Sequence, residues 1–118
     1  REIVCDPFRW ARTYQALESE GLPIVEFPQS AARMVPATQR FYEAVVNGTI
    51  RHNGDQRLAR HLANTVVRTD SRGTRISKDA KNSPRKIDLA VSAVMALERA
   101  MAEPDLPPEP QFFSWDDL

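Results

Sequence analysis

The sequence is short of the residues that build disulfide-linked or metal-bound scaffolds. Its single cysteine, Cys5, excludes an internal disulfide and any site that needs several thiolates. The two histidines do not have the spacing of a zinc site. No apolar run approaches the roughly 18 residues of a membrane span, and no signal peptide is visible. We therefore expect a soluble intracellular protein that does not enter the membrane.

An excess of charge of one sign is also missing. The 16 basic residues balance the 16 acidic ones, so the formal net charge of zero argues against a generic polycationic binder of nucleic acid. A phosphate-binding loop of the G-x-x-x-x-G-K-[ST] type is absent. The sequence has no initiator methionine and an apolar run at residues 3–5, so we expect a fragment of a longer chain.

What is present predicts one α/β domain. The 118 residues, 42% of them hydrophobic, are enough for a globular core. An apolar strand at residues 2–5, a helical pattern at 9–20 and a second strand at 22–27 form a βαβ pattern, which predicts parallel strands. Trp10, Tyr14 and Phe41 have helical spacing, which favours a place in the core over a role in stacking on nucleobases.

The rest of the chain predicts two helices, a hairpin, a long helix and a tail. The first helix has Pro36 near its start, and the second is short and contains His61, which we interpret as structural. A β-hairpin turns at residues 70–73. Ser83 and Pro84 predict the N-cap and first residue of the last helix. The domain spans 1–103, followed by a proline-rich acidic tail at 104–118.

The last helix is apolar nearly all round except for one stripe. The stripe recurs at helical spacing and consists of Asp88, Ser92, Met95 and Arg99. In the tail, three aromatic residues stand where no core is expected, which favours docking onto a partner: Phe112, Phe113 and Trp115.

Two carboxylates occupy unusual places. Asp6 ends the first strand just before Pro7, and Asp88 lies about one turn into the apolar helix. Taken singly, a turn or N-cap role for Asp6 and a helix-dipole role for Asp88 are ordinary explanations. Taken together, they fit the ligand crevice at the carboxyl end of a parallel sheet. Two carboxylates about 5 Å apart repel by about 3 kcal/mol, a cost that a divalent magnesium or manganese ion removes.

Basic residues are concentrated between the hairpin and the last helix. They can be a solvated surface, or they can lie along a DNA backbone and position it without reading sequence. Lys78 is a candidate for contact with the scissile phosphate, while Asp70 and Asp79 are expected to be surface charges. His52 lies in a polar turn, where a capping role competes with a minor catalytic one. The candidate DNA-binding residues are Arg68, Arg72, Arg75, Lys78 and Lys81.

Four blocks together resemble a known family. "CDP" at a strand end, "GTIRHNGD", "LANTVVRTDSRGTRISKD" and "RKIDLAVSAVMALERAM" resemble, in order and spacing, the nuclease domain of phage terminase large subunits of the HK97-like type. The resemblance covers residues 1 to about 103. It implies an RNase H-like α/β fold that lacks its N-terminal strands. It also places His52 and Asn64 at polar positions of the family pattern.

The resemblance also implies a function. That family's nuclease cuts concatemeric viral DNA during genome packaging, with acidic residues and two divalent metals, Mg²⁺ or Mn²⁺, in the host cytoplasm. Asp6 would be the second acid and Asp88 the late acid, with Lys78 after the hairpin as a third site residue. Double-stranded DNA, the terminase small subunit and the portal protein are the implied partners.

One acid of the family pattern would lie upstream of residue 1, so we expect this fragment alone to have little nuclease activity. The open edge of the first strand then invites self-association. The alternatives are a non-enzymatic α/β interaction module and another RNase H-like nuclease such as a resolvase.

Overall fold

A computed structural model describes residues 1–102. The elements follow in the order β1 (Ile3–Cys5), α1 (Ala11–Ser19), β2 (Ile24–Glu26), α2 (Ala31–Val46), α3 (Gln56–Ala63), β3 (Val66–Asp70), β4 (Gly73–Ser77) and α4 (Asp88–Met101). The α/β class is therefore confirmed. None of the helices within residues 1–102 has the length and apolar character needed to span a bilayer.

The described strands form two small sheets. β1 and β2 are parallel with Val4 opposite Val25, as the βαβ pattern predicts. β3 and β4 are antiparallel with Asp70 opposite Gly73, so the predicted hairpin turns through a two-residue loop. The hairpin rests on α2, whereas β1 contacts β2 and α4.

The core lies where α2 and α4 pack together, and Phe27, the residue after β2, joins it. Phe27 and Val94 are fully buried, and Met34, Phe41 and Met95 join them in one cluster. Small residues allow the close approach, since Ala37 and Ala90 are 1% and 0% exposed. This core fixes how α4, and therefore its polar stripe, faces β1.

Two predicted helix starts are wrong. α2 begins at Ala31, so Pro36 lies inside the helix and removes one backbone hydrogen bond there; burial of Met34 and Ala37 outweighs that loss. α4 begins at Asp88, not at Pro84, because Ile87 is buried in a non-helical conformation. Ser83 instead accepts the Arg85 amide at 3.1 Å in a preceding turn.

Candidate active site

Asp6 lies at the carboxyl end of β1, in the wall of a groove of about 590 Å³. Its side chain is half-buried, and Oδ1 accepts the Phe8 amide at 3.1 Å. Oδ2 has no hydrogen-bond donor among residues 1–102, so one oxygen remains available to a ligand. The groove is lined chiefly by Asp6, Phe8, Trp10, Gln29, Ser92 and Met95.

Three residues of the polar stripe of α4, Ser92, Met95 and Arg99, lie beside β1 or the residue before it. Ser92 and Met95 line the groove opposite Asp6, and the Gln29 side-chain amide donates to Met95 Sδ at 3.7 Å. At the other end of the stripe, Arg99 forms a two-pronged ion pair with Glu2 at 2.7 and 2.8 Å. β1 and α4 therefore run antiparallel, with the Asp6 end of the strand toward the N-terminal part of the helix.

Asp88 is the first residue of α4 and not one turn into it, which corrects the sequence prediction. It is exposed and lies one helical turn before Ser92, about 6 Å along the axis from the groove-lining part of the stripe. Its side chain makes no hydrogen bond or ion pair within the described part of the chain. A carboxylate here also gains from the positive end of the helix dipole, typically by about 0.3–1 kcal/mol.

The donor types fit a hard divalent cation, but the number of donors is small. Asp6 and Asp88 offer carboxylate oxygens, which suit Mg²⁺ or Mn²⁺. Within residues 1–102, no three His, Cys, Asp or Glu side chains are grouped where they would hold a metal ion together. Asp79 is taken up locally: its Oδ1 accepts the Ala80 amide at 2.9 Å, and the Ser83 hydroxyl lowers its pKa.

The hairpin arginines are engaged in contacts that the sequence did not reveal. Asp70 pairs with Arg75 at 2.9 Å and with Arg72 at 3.0 Å, and these hydrogen bonds hold its pKa far below the usual range. Arg68 donates to the carbonyl oxygens of Lys78 and Asp79 at 3.2 and 2.8 Å. Part of the basic run therefore stabilises the hairpin itself.

The two hairpin-flanking lysines differ from these arginines. Lys78 is half-buried just after β4, and Lys81 is exposed. Within residues 1–102, neither ammonium group forms a hydrogen bond or an ion pair. Their charge is not offset by a bound carboxylate. Among the five candidate DNA-binding residues, these two lysines therefore have the side chains most available to a phosphate.

Both histidines and Asn64 have structural contacts. His52 Nδ1 accepts the Gly54 amide at 3.1 Å, the turn-capping role considered above. His61 Nδ1 accepts the Leu89 amide at 3.0 Å, so α3 caps the start of α4. Asn64 Nδ2 donates to the Lys86 carbonyl at 2.9 Å and fixes the segment before that helix.

The expected core role of Trp10 is wrong. Trp10 is 52% exposed and Phe8 is 70% exposed, and both line the groove that contains Asp6. The prediction from helical spacing is wrong because α1 starts only at Ala11, which leaves Trp10 in the preceding turn. Phe41, in contrast, is buried as predicted, and Tyr14 is half-buried. The tail aromatics Phe112, Phe113 and Trp115 lie outside the described residues.

Comparison with known proteins shows the family to which the chain belongs. No curated protein matches the chain. Among solved structures, it is similar to the crystal structure of the HK97 bacteriophage large terminase, with a TM-score of 0.69 and 27% sequence identity over 83% of this chain. It spans about a fifth of that protein, 21% of its length. The family model for the terminase large subunit, endonuclease domain, matches residues 1–104. The chain therefore belongs to the family of terminase large subunit endonuclease domains, as its four sequence blocks predict.

Proposed function

We propose that this chain is the RNase H-like nuclease portion of a phage or prophage terminase large subunit. In the host cytoplasm, the intact protein would hydrolyse phosphodiester bonds of concatemeric viral DNA during genome packaging, in a metal-dependent reaction. Its implied partners are double-stranded DNA, the terminase small subunit and the portal protein. The open edge of β1 offers a further route to self-association.

One observation carries this proposal. Asp6 at the end of β1 and two residues of the polar stripe of α4, Ser92 and Met95, line the same groove. Asp88 begins that stripe one turn earlier and has no partner within residues 1–102. Because it makes no side-chain contact there, the Asp88 carboxylate remains available to a ligand held beside the groove that contains Asp6.

Asp6 and Asp88 would be the residues of this chain that hold Mg²⁺ or Mn²⁺. Such an ion supplies stabilisation of the negative charge that develops on a phosphate during displacement. Asp6 Oδ1 is fixed by the Phe8 amide, which orients the carboxylate and leaves Oδ2 toward the ligand. Further donors are required beyond these two, and we expect them outside the described residues.

Lys78 and the hairpin would position the duplex. Lys78 has an unpaired ammonium group at the end of β4, suited to the scissile phosphate or to orienting a carboxylate. Lys81, Arg68, Arg72 and Arg75 would add contacts to the DNA backbone. Contacts of this kind fix the position of DNA without reading its sequence, as an enzyme that cuts at many sites requires.

The test is plasmid cleavage by the large subunit that contains this chain, with Mg²⁺ or Mn²⁺ present. Asp6→Asn and Asp88→Asn keep the side-chain size but remove the charge, so each should reduce cleavage at least about 100-fold, an effect typical of lost metal or transition-state contacts. Glu20→Gln, an exposed change beyond the end of α1, is the matched control. Cleavage that survives Asp88→Asn would refute the role of that residue, whereas no cleavage by the parent large subunit would favour the interaction-module alternative.

A further inference from the structure

Two aromatic rings stand beside the candidate acid and take no part in the core. Phe8 is the most exposed large hydrophobic residue in the described chain, at 70%, and Trp10 follows two positions later at 52%. Both belong to the turn between β1 and α1, and both line the Asp6 groove. Exposed aromatic residues that line a groove are typical of a binding surface.

The turn that presents these rings is fixed in position. The Asp6 carboxylate accepts the Phe8 amide at 3.1 Å, and the Trp10 amide donates to the Pro7 carbonyl at 3.2 Å. Between the rings, Arg9 has a φ of 62°, the only positive value of a non-glycine residue in the described chain. A left-handed conformation costs a non-glycine residue roughly 1–2 kcal/mol, and such strain concentrates at functional sites.

The charge around the rings favours nucleic acid. The Arg9 guanidinium lies over the Phe8 ring, 5.1 Å from its centroid, and Arg12 is exposed on the first turn of α1. Residues 1–12 contain two acids, Glu2 and Asp6, and the charge of Glu2 is neutralised by Arg99. A cationic side chain therefore lies against one of the rings, and both rings line the groove that contains the candidate acid.

We propose that Phe8, Arg9 and Trp10 form a subsite that stacks on an unpaired nucleobase of the DNA strand whose phosphate lies at Asp6. This inference rests on the proposed nuclease function and adds the form of DNA that the site accepts. Both faces of a base inside a duplex are covered by its neighbours, so only an unstacked base offers a face to these rings. Arg9 would pair with the adjacent phosphate. The site would therefore prefer a frayed or single-stranded segment to an intact duplex.

Binding in the absence of divalent cations isolates this subsite from catalysis. The chain contains two tryptophans, Trp10 and Trp115, so Trp115→Phe makes Trp10 the only tryptophan reporter. The ligands are a single-stranded 10-nucleotide DNA, the same strand with abasic sites, and the matching duplex. Stacking should quench Trp10 emission with the single strand, and much less with the abasic strand or the duplex.

Three variants test the residues. Phe8→Ala and Trp10→Ala should each weaken single-strand binding about 5- to 150-fold, the range expected for the loss of one stacked base, whereas Trp10→Phe should retain most of the affinity. Binding by the alanine variants is read by anisotropy of a labelled strand. Tyr42→Ala is the matched control, since Tyr42 is a 64% exposed aromatic residue on α2 that does not line the groove.

Equal affinity for the intact and abasic strands would overturn the subsite, as would equal losses in Phe8→Ala and Tyr42→Ala. Blue-shifted Trp10 emission that does not respond to DNA would show instead that a protein segment covers the rings. The two proposals fail separately. Loss of cleavage in Asp6→Asn without Trp10 quenching leaves the nuclease standing without this subsite, and quenching with undiminished cleavage in Asp6→Asn leaves a DNA-binding groove without the proposed chemistry.

Discussion

Arg99, near the end of α4, donates hydrogen bonds to both carboxylate oxygens of Glu2, the residue before β1. The distances are 2.8 Å from Nε and 2.7 Å from an Nη nitrogen. The pair joins residues 97 positions apart and sets the register of the helix across the strand. Because β1 and α4 run in opposite directions, fixing this end also fixes how Asp6 faces the stripe that begins at Asp88.

Removing the Glu2 charge should destabilise the protein in a pH-dependent way. The Arg99 hydrogen bond lowers the pKa of Glu2 below 4.5, so the pair stabilises the fold above about pH 4.5 and loses its effect as pH falls through the lower, folded value. We expect Glu2→Gln to lower the melting temperature at pH 7 and to converge on the parent protein as pH falls through the folded value. Thermal unfolding by circular dichroism across pH 3–8 measures this, with the exposed Glu18→Gln on α1 as control. A difference that stays constant across that range would contradict the assignment.

The His61 cap should matter more than the other histidine. His61→Ala leaves the Leu89 amide at the start of α4 without its acceptor, and loss of a helix cap typically costs about 0.5–2 kcal/mol. His52→Ala removes a contact in an exposed turn and should cost less. Urea unfolding at pH 7 compares the two free energies of unfolding. Equal losses in the two variants would show that the contact with the Leu89 amide stabilises the fold no more than the contact in the exposed turn does.

Gly73 is required by both conformation and space. Its φ is 119°, and a Cβ there would lie 2.7 Å from Val35 Cγ1, where β4 packs on α2. Gly73→Ala should therefore destabilise the fold by about 1–3 kcal/mol or more. Gly54→Ala is the matched control, because Gly54 also has a positive φ, 79°, but no atom within 4 Å of an added Cβ.

A double variant separates the two causes. Adding Val35→Ala to Gly73→Ala relieves the clash but not the backbone strain, so it should cost less than the sum of the single changes. Strict additivity in urea unfolding would contradict the close contact with Val35.

The lysines of the basic run should carry more DNA affinity than Arg72. Lys78→Ala and Lys81→Ala should each weaken duplex binding severalfold, independently of sequence, and reduce the slope of log K against log salt by about 0.9. Arg72→Ala should do less, since its guanidinium is paired with Asp70. Arg57, paired with Asp55 at 2.7 Å, provides a control outside the hairpin. Fluorescence anisotropy over a salt series measures all four. A larger effect from Arg72 would contradict the ranking.

The sequence predicted the elements whose signals are local. The βαβ pattern predicted the parallel pairing of β1 and β2, and turn residues predicted the β3–β4 hairpin. Period 3.6 predicted a stripe on α4, of which Ser92 and Met95 line the Asp6 groove. The predicted starts of α2 and α4 are wrong because tertiary contacts, and not local sequence signals, determine where these helices begin. Burial of Ile87 delays α4 despite the Ser83–Pro84 signal, and burial of Met34 extends α2 past Pro36.

The two acids of the candidate site come from local sequence signals, and their role as ligands stays a prediction, whereas the supporting contacts have no such signal. Asp6 stood out because it ends an apolar strand, and Asp88 because it interrupts an apolar helix. The Glu2–Arg99 and Asp70–Arg75 pairs join side chains whose approach depends on the folded register, so no local pattern marks them. Trp10 followed a helical period by chance and is exposed one residue before the helix begins.

The central claim is that Asp6 and Asp88 bind one divalent cation together. Crystals of the large subunit that contains this chain, soaked in Mn²⁺, test this directly by anomalous difference density. The account predicts a peak between the two carboxylates that disappears in Asp88→Asn. No peak there, with the two side chains directed to opposite surfaces, would contradict it.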